Sequence, residues 1–227
     1  EIKRYIKGGF SFFSIDELLY PKIVLFNQRK VNISFDDGFR DIYTNAFPIF
    51  KKYNIPFTIY LTTDFPDGEA DLWWIQLEKH SFSEKDFEDK RKLIFDSGRP
   101  MAEEMHRLTK TAIDYDICIN EALSWNEIKE MIESGLCTIG SHTVSHSGLT
   151  RISDEECRRE LFLSKERIEN ELLVKVEHFS YPHSMMNANV QSVVMGSGYK
   201  TAVLGYGGKV RVGDDMFGLK RKYIIQD

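Results

Sequence analysis

The sequence predicts an α/β fold built on parallel strands, and three observations carry that reading. Strand and helix patterns alternate along most of the 227 residues. Clusters of polar residues fall where several of the strands end, the edge at which parallel α/β folds build their sites. Hydrophobic residues make up 42% of the chain and charged residues 29%, a balance suited to one sizeable packed core.

The elements follow in order. Val31, Ile33 and Phe35 alternate with Asn32 and Ser34, giving a short strand that ends at Asp36-Asp37-Gly38. A helix is expected over residues 41–53 with Ile42, Ala46, Ile49 and Phe50 on its apolar face; Pro48 either kinks it or marks its true start. Residues 57–61 are β-branched and aromatic, a second strand. Residues 62–124 then break the alternation with a polar, helical insertion that carries Trp73-Trp74 and reads equally well as a cap over a site or as a surface excursion. Alternation resumes with a helix over 125–134, for which Ser124 and Glu127 spell a capping box and Gly135 a stop. A strand over 137–140 runs into Ser141-His142, and Ser153 with Glu156 caps a long amphipathic helix reaching 172. Strands over 176–181, 201–204 and 219–225, with a helix over 189–195, complete the pattern.

The net charge of −5 disfavours nucleic acid as a partner, since phosphate binding needs a positive surplus. The tightest basic run, Lys220-Arg221-Lys222, reads as a solvated strand end. The 3 cysteines, Cys118, Cys137 and Cys157, are too few and too widely spaced for a disulfide framework or a paired-thiol metal site. They read as free thiols of a reducing compartment. No stretch is apolar enough to span a membrane and no export signal is visible, so the expected location is cytoplasmic.

Two constellations carry chemistry. Asp36 and Asp37 are adjacent carboxylates at a strand end, a repulsive pair unless a cation or proton intervenes. Neighbouring residues point different ways, so one can ligate a metal while the other stays free as a base. His142 and His146 lie four residues apart, the spacing that puts two imidazoles on one helical face within reach of one ion. This is not the metalloprotease pattern, because Thr143 stands where the general-base Glu would be; Asp36 can supply the base instead. Two His and one Asp leave coordination positions open for water. The same set would also suit the ferrous iron of an oxygenase, although the strand–helix alternation argues against the all-β pattern such enzymes usually show.

Ser34-Phe35-Asp36-Asp37-Gly38, His142-Thr143-Val144-Ser145-His146 and Phe179-Ser180-Tyr181-Pro182-His183 resemble, in order and separation, the first three motifs of the polysaccharide deacetylase family, also called the NodB-homology family or carbohydrate esterase family four. The resemblance runs from about Val31 to the C-terminal end, and the Phe-x-Tyr-Pro form is similar to a branch acting on bacterial surface polysaccharides or their precursors. It implies a distorted (β/α) barrel with fewer than eight strands, read as one catalytic domain over 1–227 that includes the helical insertion over 62–124 after the second strand. It also implies that Asp36 is the base, that Asp37, His142 and His146 bind one divalent metal, usually zinc, and that the N–H of His183 meets the oxyanion. Ser180 stands where many members place an Arg that orients the base, and no His follows His183 to act as the C-terminal acid. Either His183 supplies that proton, or Lys220 or Arg221 helps electrostatically, or the chain is truncated or weakly active. Of the aromatic residues Trp73, Trp74, Tyr181 and Tyr206, the two expected to touch substrate are Trp74 and Tyr181. The implied activity is removal of acetyl groups from an N-acetylated sugar of a polysaccharide or glycan precursor. A carbohydrate O-acetyl esterase or a non-catalytic carbohydrate-binding relative are the alternatives.

Overall fold

The computed structural model describes residues 2–19 and 29–223. Among them, six parallel strands form one sheet: β3 (Ile33–Phe35), β4 (Phe57–Leu61), β5 (Cys137–Ser141), β6 (His178–Ser180), β7 (Thr201–Gly207) and β8 (Leu219–Arg221). They pair in sequence order, so the sheet curls as a half-barrel without reversing direction. Before it come α1 (Ile2–Lys7), β1 (Ser11–Phe12), a 3₁₀ turn (Ile15–Leu19) and β2 (Lys30–Val31); β1 and β2 form a separate two-stranded pair.

Helices cover the outer face. Residues 41–53 contain a π-helical turn (Ile42–Ala46) that passes into α2 (Phe47–Tyr53), with Pro48 in the first turn of α2, where its missing N–H costs nothing. The insertion holds α3 (Asp64–Asp67), α4 (Trp73–Lys79), α5 (Glu84–Asp96), α6 (Met101–Thr109) and α7 (Tyr115–Glu121). After it come α8 (Trp125–Glu133), α9 (Asp154–Leu172) and α10 (Ala188–Gly196). Both expected capping boxes form, Ser124 with Glu127 and Ser153 with Glu156; such N-caps each stabilise a helix by about 1 kcal/mol. The expected last strand is seen as Leu219–Arg221, and residues 224 and 225 of that expectation lie outside the described residues.

The main core lies between sheet and outer helices, where Phe50, Phe57, Ile59, Ile139, Leu161, Ile168 and Phe179 are buried. Tyr60, Val203 and Leu219 fill the concave side instead. The insertion is helical, as expected, and carries its own packed cluster of Trp73, Leu77, Ile94 and Met105. No helix of the described residues is long and apolar enough to cross a membrane.

Candidate active site

Asp36 and Asp37 follow β3 directly. The chain turns sharply here: Asp37 has φ 70° and Gly38 φ 116°. A Cβ on Gly38 would stand 2.6 Å from Leu61 Cδ1, so both the conformation and the space demand glycine. The turn sends the two carboxylates apart, as their adjacency predicts.

His142 comes straight off β5, with its N–H on the Leu61 carbonyl at 2.8 Å. Its Nδ1 lies 2.7 Å from the Ser180 carbonyl, which sets the tautomer and leaves Nε2 unprotonated toward Asp37 Oδ1, 3.5 Å away. His146 Nε2 lies 3.2 Å from the same oxygen. The two histidines do not share a helical face as their spacing suggested. Residues 142–146 form a loop with Thr143 at φ 72° and His146 at φ 59°, and this reversal brings the rings to 4.9 Å. Glu160 on α9 holds the loop, accepting from the N–H groups of Val144 and Ser145 at 2.7 and 3.1 Å and from Ser145 Oγ at 2.8 Å.

One ligand atom each from Asp37, His142 and His146 lies within 4.8 Å of the others. The donor set fits a divalent cation. Asp37 Oδ1 is buried with no hydrogen-bond partner. Burial first, and the neighbouring Asp36 charge second, push the Asp37 carboxyl up to about 8. Burial pushes both imidazoles down: that of His146, beside His183 and His142, well below its usual value, and that of His142 less far, opposed by the charge of Asp36. Neutral imidazoles and a carboxylate short of a positive partner are what a cation requires.

Asp36 meets a different environment. Burial raises its pKa, but His142 and Arg221 together outweigh that and hold the carboxyl below its usual value. Arg221 grips both oxygens, Nη1 to Oδ1 at 2.8 Å and Nη2 to Oδ2 at 2.5 Å. This contact spans 185 positions in the chain, and a basic residue at a strand end gives no local sign of where its side chain will go.

Two of the expected site residues stand elsewhere than their roles require. Tyr181 is 1% exposed; its hydroxyl donates to the Phe217 carbonyl at 2.9 Å and its ring packs on Phe179. Period-two alternation turns Phe179 and Tyr181 outward into the core and Ser180 inward, so Tyr181 presents no face to a sugar. His183 lies behind His146, ring centroids 4.4 Å apart, walled by Phe95 at 5.3 Å and Trp73 at 6.5 Å. Burial above all, with the Arg151 charge nearby, pushes its imidazole down to about 4. It is therefore neutral at pH 7 and poorly suited to be the proton donor expected of it. Trp74, half-buried, stands 5.2 Å from His146. The insertion thus closes one side of the site with Trp73, Trp74 and Phe95. Of nine non-glycine residues with positive φ among those described, five (Asp37, Thr143, His146, His183 and Ser184) surround this site.

The half-barrel of parallel strands thus carries, at its C-terminal edge, an Asp–His–His cradle and a separate carboxylate. The chain belongs to the polysaccharide deacetylase family, whose profile matches residues 25–202. It is similar to the poly-β-1,6-N-acetyl-D-glucosamine N-deacetylase of Staphylococcus aureus, 25% identical over 198 residues, covering 83% of this chain and 52% of that protein. The chain thus spans about half the length of that relative. In fold it is similar to the Streptococcus pyogenes deacetylase PplD (TM-score 0.69, 20% identity, 98% of this chain and 77% of that one). It is equally similar to the BpsB deacetylase domain of Bordetella bronchiseptica (TM-score 0.69, 15% identity, 97% and 81%).

Proposed function

We propose that this chain is a metal-dependent hydrolase that removes acetyl groups from acetamido sugars of a polysaccharide or glycan precursor. The observation that carries the reading is the convergence of Asp37, His142 and His146 on one point, with Asp36 adjacent but separately held. The similarity to a poly-N-acetylglucosamine deacetylase supports the choice of substrate class. A divalent cation held by Asp37, His142 and His146, zinc by ligand type, would polarise the acetyl carbonyl and lower the pKa of water.

The chain's own residues do the rest. Asp36, ionised, takes a proton from the water that attacks the acetyl carbon. The N–H of His183 donates to the oxyanion that develops. With His183 neutral and walled off, Asp36 is also the group that returns the proton to the leaving nitrogen as the C–N bond breaks. Trp74 offers its ring to a sugar face beside His146.

The test pairs elemental analysis with acetate release. Purified wild type and Asp37→Ala are assayed for bound zinc and for acetate freed from N-acetylglucosamine oligomers. Bound zinc that is lost in the variant, with acetate release by wild type alone, is expected. Zinc-loaded wild type that frees acetate only from sugar esters would replace the amide reading with the esterase one.

A further inference from the structure

We propose that Arg151 is a positioning residue for the substrate: it clasps the insertion to the loop that carries His146 and so sets the aromatic wall against which the sugar is received. The proposal rests on the deacetylase reading, and it starts from how the insertion is built. Helices α4, α5 and α6 pack on one another around Trp73, Leu77, Ile94 and Met105, a core separate from that of the sheet. A unit with its own core keeps a fixed angle to its neighbour only where something ties the two together.

The tie comes from the loop after β5. Leu149 roots that loop in the main core, and two residues on, the Arg151 N–H closes a turn on the Gly148 carbonyl at 2.8 Å. The Arg151 side chain crosses to α5. Its Nη1 donates to the Ile94 carbonyl at 3.4 Å and its Nη2 to the Phe95 carbonyl. These carbonyls lie in the last turn of α5, where the helix runs out of its own donors and its dipole favours a cation. The guanidinium also stands over the Phe95 ring, 5.4 Å from its centroid. Loop and insertion come close beside it: a Cβ on Gly148 would stand 2.7 Å from Met185 Sδ and 3.6 Å from Met101 Cε on α6.

Phe95 is one member of a closed circuit of rings. It meets Trp73 at 5.9 Å, Trp73 meets Trp74 at 5.8 Å, and Trp74 meets His146 at 5.2 Å. His146 meets His183 at 4.4 Å, and His183 returns to Phe95 at 5.3 Å. Phe95, Trp73 and Trp74 belong to the insertion, the two histidines to loops of the half-barrel. Close-packed rings transmit displacement, so holding Phe95 holds Trp74 beside His146. Arg151 acts through these rings and not on the acetyl group. Its loss loosens the platform for the sugar and leaves the chemistry intact.

Arg151→Ala separates the two with N-acetylglucosamine oligomers as substrate. KM is expected to rise about tenfold, the scale of one charge-assisted hydrogen bond lost, with kcat and bound zinc within about threefold of wild type. Arg151→Lys keeps a cation over Phe95 and a donor for the carbonyls, and should recover most of the KM. Amide hydrogen exchange in α4–α6 of Arg151→Ala should quicken about tenfold while that of α9 stays as in wild type. Where Arg151→Ala fails to fold, Phe95→Leu keeps the apolar bulk and removes the ring, and the same rise in KM is expected. Wild-type KM in a folded Arg151→Ala, a fall in kcat that exceeds the rise in KM, or unchanged exchange in the insertion would overturn the proposal. A wild type that frees no acetate would instead sink the deacetylase reading, and the exchange measurement would still decide whether Arg151 ties the insertion down.

Discussion

The sheet carries an Asp–His group at each end, and the two are built to opposite specifications. At the N-terminal edge, Asp16 Oδ1 accepts from His178 Nε2 at 3.0 Å, while its Oδ2 accepts from Ser14 and Thr138 hydroxyls, both at 2.8 Å. His178 Nδ1 is 2.8 Å from Thr201 Oγ1. Every atom is partnered, and the His178 hydrogen bond, outweighing burial, draws the Asp16 carboxyl down to about 2. At the C-terminal edge, Asp37 has the same kind of neighbours but no hydrogen bond at Oδ1, and its carboxyl is pushed up to about 8. The same residue types make a finished joint in one place and an unfinished one in the other. An incomplete set of partners, rather than the presence of Asp and His, marks the functional end.

Four substitutions sharpen or break that contrast, in falling order of effect. Asp36→Asn should lower turnover by about 10²–10⁴-fold, the usual share of a general base, with zinc still bound by elemental analysis. Wild-type turnover in that variant would remove Asp36 as the base. Asp37→Ala should lose the thermal stabilisation that zinc gives the wild type, about 2.7 kcal/mol at a hundred times Kd. If calorimetry finds equal stabilisation in both, the unfinished end is not a cation site. Glu160→Gln should weaken zinc binding by about tenfold by loosening the loop that carries His146, which a competition titration reads. Asp16→Asn should be the mildest, lowering Tm by about 2–4 °C and leaving activity unchanged. The side chain of Asp16 is 48% exposed, so its pairing is discounted for solvent screening. Its pKa is depressed in the folded state, so its contribution is present above about pH 4 and lost as pH falls toward about 2. A flatter acid limb of the stability curve in the variant is the expected signature.

The candidate residues Asp36, Asp37, His142 and His146 were legible because they fall in two short runs at or just beyond strand ends, a signal confined to five or so neighbouring positions. The insertion was visible as an interruption, and its aromatic wall was foreshadowed by Trp73-Trp74. What could not be read was direction and distance. The spacing of His142 and His146 fits a helix as well as a loop, and only the positive φ of Thr143 and His146 separates the two. Tyr181 was expected at the substrate as an aromatic residue able to stack on a sugar, yet Phe179 and Tyr181 share the core-facing side of the strand and Ser180 takes the other. Asp16 and His178 lie 162 positions apart, and Arg221 lies 185 from Asp36, so neither contact leaves a mark in local pattern.

The order in which the chain supplies these parts has a consequence for its synthesis. Asp37, His142 and His146 are all made before residue 147, whereas Arg221 arrives only with the last strand of the sheet. A nascent or shortened chain ending before β8 possesses all of Asp37, His142 and His146 and lacks the Arg221 fork on Asp36. The two halves of the site are therefore completed at different times: the Asp–His–His cluster first, and the fork that holds Asp36 only when the closing strand has docked.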